Sequence, residues 1–156
     1  MGHFGFSYVG LLYMLMLIIP NIMWAKNKPS GYSPLGENKV LLSFEKVGQM
    51  LTTATALCFS DTNLHGINIW LIWFFASALL MIIYELYWVR YFIGGHTLKD
   101  FYRTFFGIPL PGATLPIAAF IMLGIYGKLI WLVAAAIILG IGHIGIHLGH
   151  LKKLKE

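Results

Sequence analysis

The chain has 156 residues, 58% of them hydrophobic and only 11% charged, and its mean hydropathy is +0.76. Soluble domains carry about 25% charged residues, so an ordinary cytosolic enzyme and a disordered chain are excluded, as is a disulfide scaffold built on one cysteine, Cys58. The net charge of +5 does not imply nucleic acid, because the basic residues sit between apolar runs, where topology in a lipid bilayer accounts for them.

Five apolar stretches follow in chain order, at residues 6–24, 40–59, 67–88, 108–126 and 129–148. Each is close to the roughly 20 residues that a membrane-crossing helix needs. They predict an all-α integral membrane protein, one helical bundle over residues 1–156 with five transmembrane helices. The first stretch lacks a basic leader region and a small-residue cleavage site, so it reads as a span. The second is the weakest, because it holds Glu45, Lys46 and Gln49.

Charge placement favours keeping that second span. Lys26, Lys28 and Lys39, then Arg90, Lys99 and Arg103, then Lys152, Lys153 and Lys155 all fall on one side if five spans cross. That side is cytoplasmic by the positive-inside rule, with the N-terminus out and the C-terminus in. Without the second span, Arg90, Lys99 and Arg103 would change sides. A bacterial-type plasma membrane is the expected location.

The connections add detail. Residues 27–38, NKPSGYSPLGEN, are rich in proline and glycine and predict an ordered turn-rich cap or a mobile flap. In HTLKDFYRTFF, Thr97 and Asp100 suit a capping box. Leu98, Phe101, Tyr102 and Phe105 then recur with helical period, which predicts a short amphipathic helix in the cytoplasmic interface. Pro109, Pro111 and Pro116 crowd the start of the fourth span. Regular helix is expected there only from about Pro116, after an extended or kinked entrance.

Polar residues inside the spans gather toward the inner side. Glu45, Gln49, Thr52, Thr53 and Ala56 share roughly a 100° sector of the second helix, and His143, His147 and His150 share roughly 60° of the fifth. Lipid offers such groups no partner, so they must face protein or water. Glu45, Glu85, His143 and His147 are the candidate catalytic groups. Gln49, Arg90, His96 and Trp88 are candidates for holding a substrate. Glu85 is placed either to pair with Arg90 or Lys46, or to exchange a proton. The tryptophans and tyrosines near helix ends, Trp24, Tyr87, Trp88, Tyr91, Trp70 and Trp131, read as interfacial belts.

His143 and His147 have the i, i+4 spacing of metal-binding helices, but the glutamate of HExxH is replaced by Ile144. With His150, Glu45, Glu85 or His96 they could hold zinc or iron. A hydrogen-bonded network without metal, and plain interfacial histidines, stand beside that reading. Gly142, Gly145 and Gly149 form a small-residue seam suited to close helix packing, within the chain or in a homo-oligomer.

No GxSxG elbow and no phosphate-binding glycine loop followed by lysine occurs, so no motif names a reaction. Three functions remain in view. The first is an enzyme acting on a lipid or prenyl-like substrate at the cytoplasmic face. The others are a transporter or carrier subunit, and a non-catalytic assembly or immunity partner.

Overall fold

Ser7 starts the first helix: its hydroxyl accepts the Gly10 N–H at 2.8 Å and also meets the Thr62 hydroxyl at 2.6 Å. From there the computed structural model describes residues 2–155, apart from the Lys155 side chain, and they form an all-helical chain. Five long helices are α1 (Tyr8–Lys26), α2 (Lys39–Cys58), α3 (Leu71–Ile93), α5 (Pro111–Tyr126) and α6 (Ile130–Lys155). A five-residue α4 (Leu98–Tyr102) and a 3-10 turn at Ser60–Thr62 complete the set.

Three helices, α1, α3 and α6, are long and apolar enough to cross a membrane, as a membrane protein requires. α2 has 20 residues but carries Glu45, Lys46 and Gln49. α5 is apolar but has only 16 residues, a length of about 24 Å.

Successive long helices run antiparallel. At one end Gly5 N–H donates to Cys58 O, Ser60 N–H donates to His3 O, and the Tyr126 hydroxyl donates to Asn63 O. At the other end Glu37 bonds His150, and Lys153 Nζ reaches Leu35 O. α2 lies along α6, and α5 lies between α6 and α3. Met81, Tyr84, Phe120, Leu123 and Leu132 fill the space between them.

Glycines allow the close approach of α2 and α6. A Cβ on Gly48 of α2 would collide with the Leu139 backbone, and one on Gly142 of α6 would collide with Glu45 N and Leu41 O. The seam that suggested a second copy is therefore filled by the chain's own α2 at Gly142 and Gly145, whereas Gly149 stands open.

α5 departs from expectation. It begins at Pro111, five residues earlier than anticipated, because proline at the first helical position lacks only an N–H that the helix does not use. The approach is a tight turn rather than extended backbone. Phe105 and Ile108 exchange both backbone bonds around Phe106 and Gly107, whose φ values are 49° and 77°, as a two-residue primed turn requires. Pro116 sits inside the helix and has no N–H to return to the Gly112 carbonyl.

α4 forms with the expected capping box of Thr97 and Asp100, and the Thr97 hydroxyl holds the Asp100 carboxyl below the usual carboxylate range. Its Phe101 and Tyr102 are buried in the bundle, so α4 is inserted rather than laid on the surface. Tyr87, Trp88 and Tyr91 likewise belong to the core, because Phe101 packs among them. Trp70 and Trp131 remain exposed, and so does Cys58.

Candidate functional site

On α6, His143, His147 and His150 share a face, and each ring has one nitrogen tied to an oxygen on a different element. His143 Nδ1 meets Glu45 Oε1 of α2 at 2.5 Å, and His147 Nδ1 meets the Tyr102 hydroxyl of α4 at 3.3 Å. His150 Nε2 meets Glu37 Oε1 of the 27–38 loop at 2.7 Å. Ring centroids stand 4.6 Å apart between His143 and His147, and 6.3 Å apart between His147 and His150. Gly142 allows the first of these bonds, since any side chain there would hold the α2 backbone away at Glu45.

Two adjoining chambers open beside the histidines. The apolar chamber, about 310 Å³, lies among Leu17, Ile18 and Ile22 of α1, Ile117 and Phe120 of α5, and Leu139 of α6. The polar chamber, about 280 Å³, holds Lys28, Tyr32, Glu37, Glu45 and His147. Asn21, Gln49, Gly112 and His143 line both and form the neck between them. Asn21 is oriented there by donating to Tyr84 Oη at 2.9 Å and to Leu17 O at 2.7 Å, which leaves its amide oxygen free to accept.

The hydrogen bonds tie neighbouring rings to different partners. An ionised carboxylate accepts only, so Glu45 holds a proton of His143 on Nδ1, and no protein group bonds Nε2 among the described residues. Burial pushes the Tyr102 phenol above its usual range, with Tyr32 and Glu37 adding to the rise. It therefore keeps its proton, and its hydroxyl pairs with His147 Nδ1. Burial, then Glu37 and Glu45, also raise the Tyr32 phenol, which stays a neutral donor above the polar chamber.

The 27–38 loop is the ordered cap of the two alternatives. Tyr32 packs edge-on to Trp24 with centroids 4.8 Å apart and lies 5.3 Å from the His150 ring. Lys28 Nζ lies over both the Trp24 and Tyr32 rings, 5.7 and 5.9 Å from their centroids.

Of the residues singled out from sequence, Glu45, Gln49, Trp88, His143 and His147 come together around the polar chamber. His150 lines an adjoining recess of about 320 Å³ with Tyr102 and Lys153, and Tyr32 lines both spaces. Glu85 does not join them. Its Oε1 is buried on α3 without a hydrogen-bond partner, and neither Arg90 nor Lys46 pairs with it among the described residues.

Arg90 is engaged elsewhere, donating to the carbonyls of Asp100, Arg103 and Thr104, where it closes the end of α4. His96 Nε2 lies 2.7 Å from Phe92 O, so this ring closes the end of α3. Neither side chain lines the chambers.

The metal expectation finds no support in the structure. His143, His147 and His150 run along the helix, each with a separate oxygen partner. Among the described residues no three histidine, cysteine, aspartate or glutamate side chains gather to hold a metal ion.

Sequence reading missed Asn21, Tyr102 and Glu37. Asn21 was a visible signal, a lone amide in an apolar run one residue after Pro20. Glu37 and Tyr102 lie outside the spans, and only the folding back of the loop and of α4 brings them to α6. No protein-family model, curated protein or solved structure matches this chain.

Proposed function

We propose that this is a five-span membrane enzyme that carries out general acid–base chemistry on a lipid or prenyl-like amphiphile at the cytoplasmic leaflet. The observation that carries this reading is the position of His143. Its Nδ1 is held by Glu45, and the ring stands at the neck between an apolar and a polar chamber. An amphiphile with its chain among Ile18, Ile117 and Phe120 would place the junction of chain and headgroup beside His143 Nε2. His143 acts as base and returns the proton as acid, Glu45 positions it, and Gln49 and Asn21 hold the polar junction.

Five spans suit the antiparallel run of the long helices, with α2 and α5 crossing beside more apolar neighbours. Nine of the eleven basic residues then lie at the end that carries the site. The transporter reading has less support, because the wall above the neck is apolar and offers ions no continuous lining. An assembly or immunity partner leaves the Glu45–His143 pair at the neck without a use.

The test is turnover. The full chain in nanodiscs is incubated with bacterial total lipid extract and with prenyl alcohols and their esters, and products are followed by mass spectrometry. A product formed by the parent chain and reduced about 100-fold or more in His143→Gln is expected. Equal product from both chains would overturn the reading. Reporter fusions after Lys28, His65 and Lys99 test the topology, and an external signal at Lys99 would sink it.

A further inference from the structure

α1 and α2 are clasped at one end only. There the Gly5 and Ser7 N–H groups donate to the Cys58 and Leu57 carbonyls, both at 3.0 Å, and a Cβ on Gly10 would collide with Ala56 O. Toward the other end no hydrogen bond joins the two helices among the described residues, since Asn21 bonds Leu17 and Tyr84, and Asn27 bonds Met23. The apolar chamber occupies the crevice that results. Ile22 and Ala25 of α1 and Gln49 of α2 form its walls, and Ile117, Phe120 and Leu139 form its floor. The floor is buried, whereas Ile22 is 50% exposed and Ala25 and Gln49 are exposed as well. The mouth therefore faces sideways, beside a helix apolar and long enough to cross a membrane, and opens on lipid chains.

Polarity changes along the crevice in the same order as along a lipid. The apolar chamber lies deeper between the helices, and the polar chamber follows at the end closed by the 27–38 loop. Lys28 Nζ rests over the Trp24 and Tyr32 rings there, and among the described residues neither it nor the Tyr32 hydroxyl bonds an acceptor. The two carboxylates of this chamber, Glu37 and Glu45, each already face a histidine nitrogen. A cation without an acceptor, beside a neutral hydroxyl donor, is complementary to a phosphate, which supplies both charge and oxygens.

We propose that the crevice between α1 and α2 is a side entrance for an amphiphile of the cytoplasmic leaflet that carries a phosphate headgroup. Its chain lies against Phe120 and Leu139, and its phosphate lies beneath Lys28 and Tyr32. Entry in this orientation keeps the phosphate at the depth of the neighbouring headgroups, so no charge has to cross hydrocarbon. The proposal rests on the amphiphile seat at the neck and adds the headgroup's charge and the route in. Binding by this route needs no acid–base step.

Photolabelling tests it without turnover. The full chain is placed in phosphatidylcholine nanodiscs doped with phosphatidylglycerol that bears a diazirine at the end of one acyl chain, and labelled residues are located by peptide mass spectrometry. Labels are expected on the interior pair, Phe120 and Leu139, as well as on the outward-facing Phe75 and Ile82 of α3. The same diazirine carried by phosphatidylcholine should label the interior pair about fivefold less, the factor that one lysine near an anionic lipid supplies. Lys28→Gln should erase that difference. Ala25→Trp, at an exposed position on the mouth, should remove the interior labels while sparing Phe75 and Ile82 and the melting temperature.

Labels on Phe75 and Ile82 without any on Phe120 and Leu139 would overturn the entrance, as would interior labels that survive Ala25→Trp. Equal interior labelling by the two lipids, or a preference that survives Lys28→Gln, would overturn the phosphate assignment. Excess inorganic phosphate should not compete, and competition by it would assign Lys28 to a soluble phosphate instead. Interior labels without lipid turnover would count against the proposed chemistry alone. Turnover without interior labels would count against the entrance alone.

Discussion

Glu45 and His143 are 98 positions apart in the chain, yet their side chains meet at 2.5 Å across the interface of α2 and α6. Both are largely but not wholly buried, with 19% and 25% of their side chains exposed. Hydrogen bonds of this kind, with a charged partner, are worth about 1.5–3 kcal/mol when sheltered, and partial exposure favours the low end. Glu45→Gln keeps the shape and an acceptor oxygen but loses the charge. It should cost about 1 kcal/mol or less in stability while lowering turnover far more than stability, measured by thermal unfolding beside the lipid assay. A parallel decline of the two would reduce Glu45 to a structural role.

Gly142 and Gly149 make a matched pair on α6. At Gly142 an added Cβ meets the α2 backbone, whereas at Gly149 nothing lies within 4 Å. Gly142→Ala is expected to destabilise by about 1–3 kcal/mol, because backbone cannot step aside as a flexible side chain can. Gly149→Ala should be neutral or stabilising by up to about 1 kcal/mol, from helix propensity alone. Melting temperatures of the two variants in the same detergent decide it. Similar effects from both would contradict the close approach of α2.

Arg90 is expected to act on structure. Its guanidinium holds three carbonyls at the end of α4 and stacks over Tyr87 and Phe105, 5.4 and 5.1 Å from their ring centroids. Arg90→Gln should destabilise by about 1–3 kcal/mol and loosen α4, seen as faster amide exchange at Phe101 and Tyr102. Lipid selectivity should not change. Altered selectivity with unchanged exchange would restore Arg90 as a headgroup contact.

His3 and Asp61 provide a pH dependence at the opposite end. Burial alone would raise the Asp61 carboxyl, but the side-chain and backbone bonds from His3 outweigh it and hold the group below the usual carboxylate range. A depressed folded value means that the stabilisation is complete above the ordinary value of about 4 and fades as pH falls through the lower folded one. Amide exchange at Gly5 and Ser60 should therefore rise only below about pH 4, and Asp61→Asn should remove this pH dependence. An acid transition of the same size in Asp61→Asn would place its origin elsewhere.

Much of this arrangement was legible in the sequence because it follows from periodicity. His143, His147 and His150 fall on one helical face by spacing alone, and the Gly142 and Gly145 seam announced a close neighbour. Thr97 and Asp100 announced a cap because that motif is local. The roles of Arg90 and Tyr102 were not legible, since they depend on how α4 folds back under α3 and α6. Trp88 and Tyr91 look the same in sequence whether they meet headgroups or Phe101. The three prolines at α5 misled for another reason. Proline breaks a helix it interrupts but suits one it begins, and only the αL residue Leu110, with φ of 49°, fixes which applies at Pro111.

The separation of Glu45 from His143 also has a consequence for biogenesis. At synthesis rates of about 5–20 residues per second, a separation of 98 positions means that α2 waits roughly 5–20 s before its partner histidine leaves the ribosome. Throughout that interval the least apolar of the long helices carries Glu45 and Lys46 without α6 beside it. The amide of Gln49 and the hydroxyl of Thr52 are equally without that neighbour. α6, made well after α2, is thus the helix that completes it, and truncation before residue 143 should leave α2 the first segment open to quality-control proteolysis.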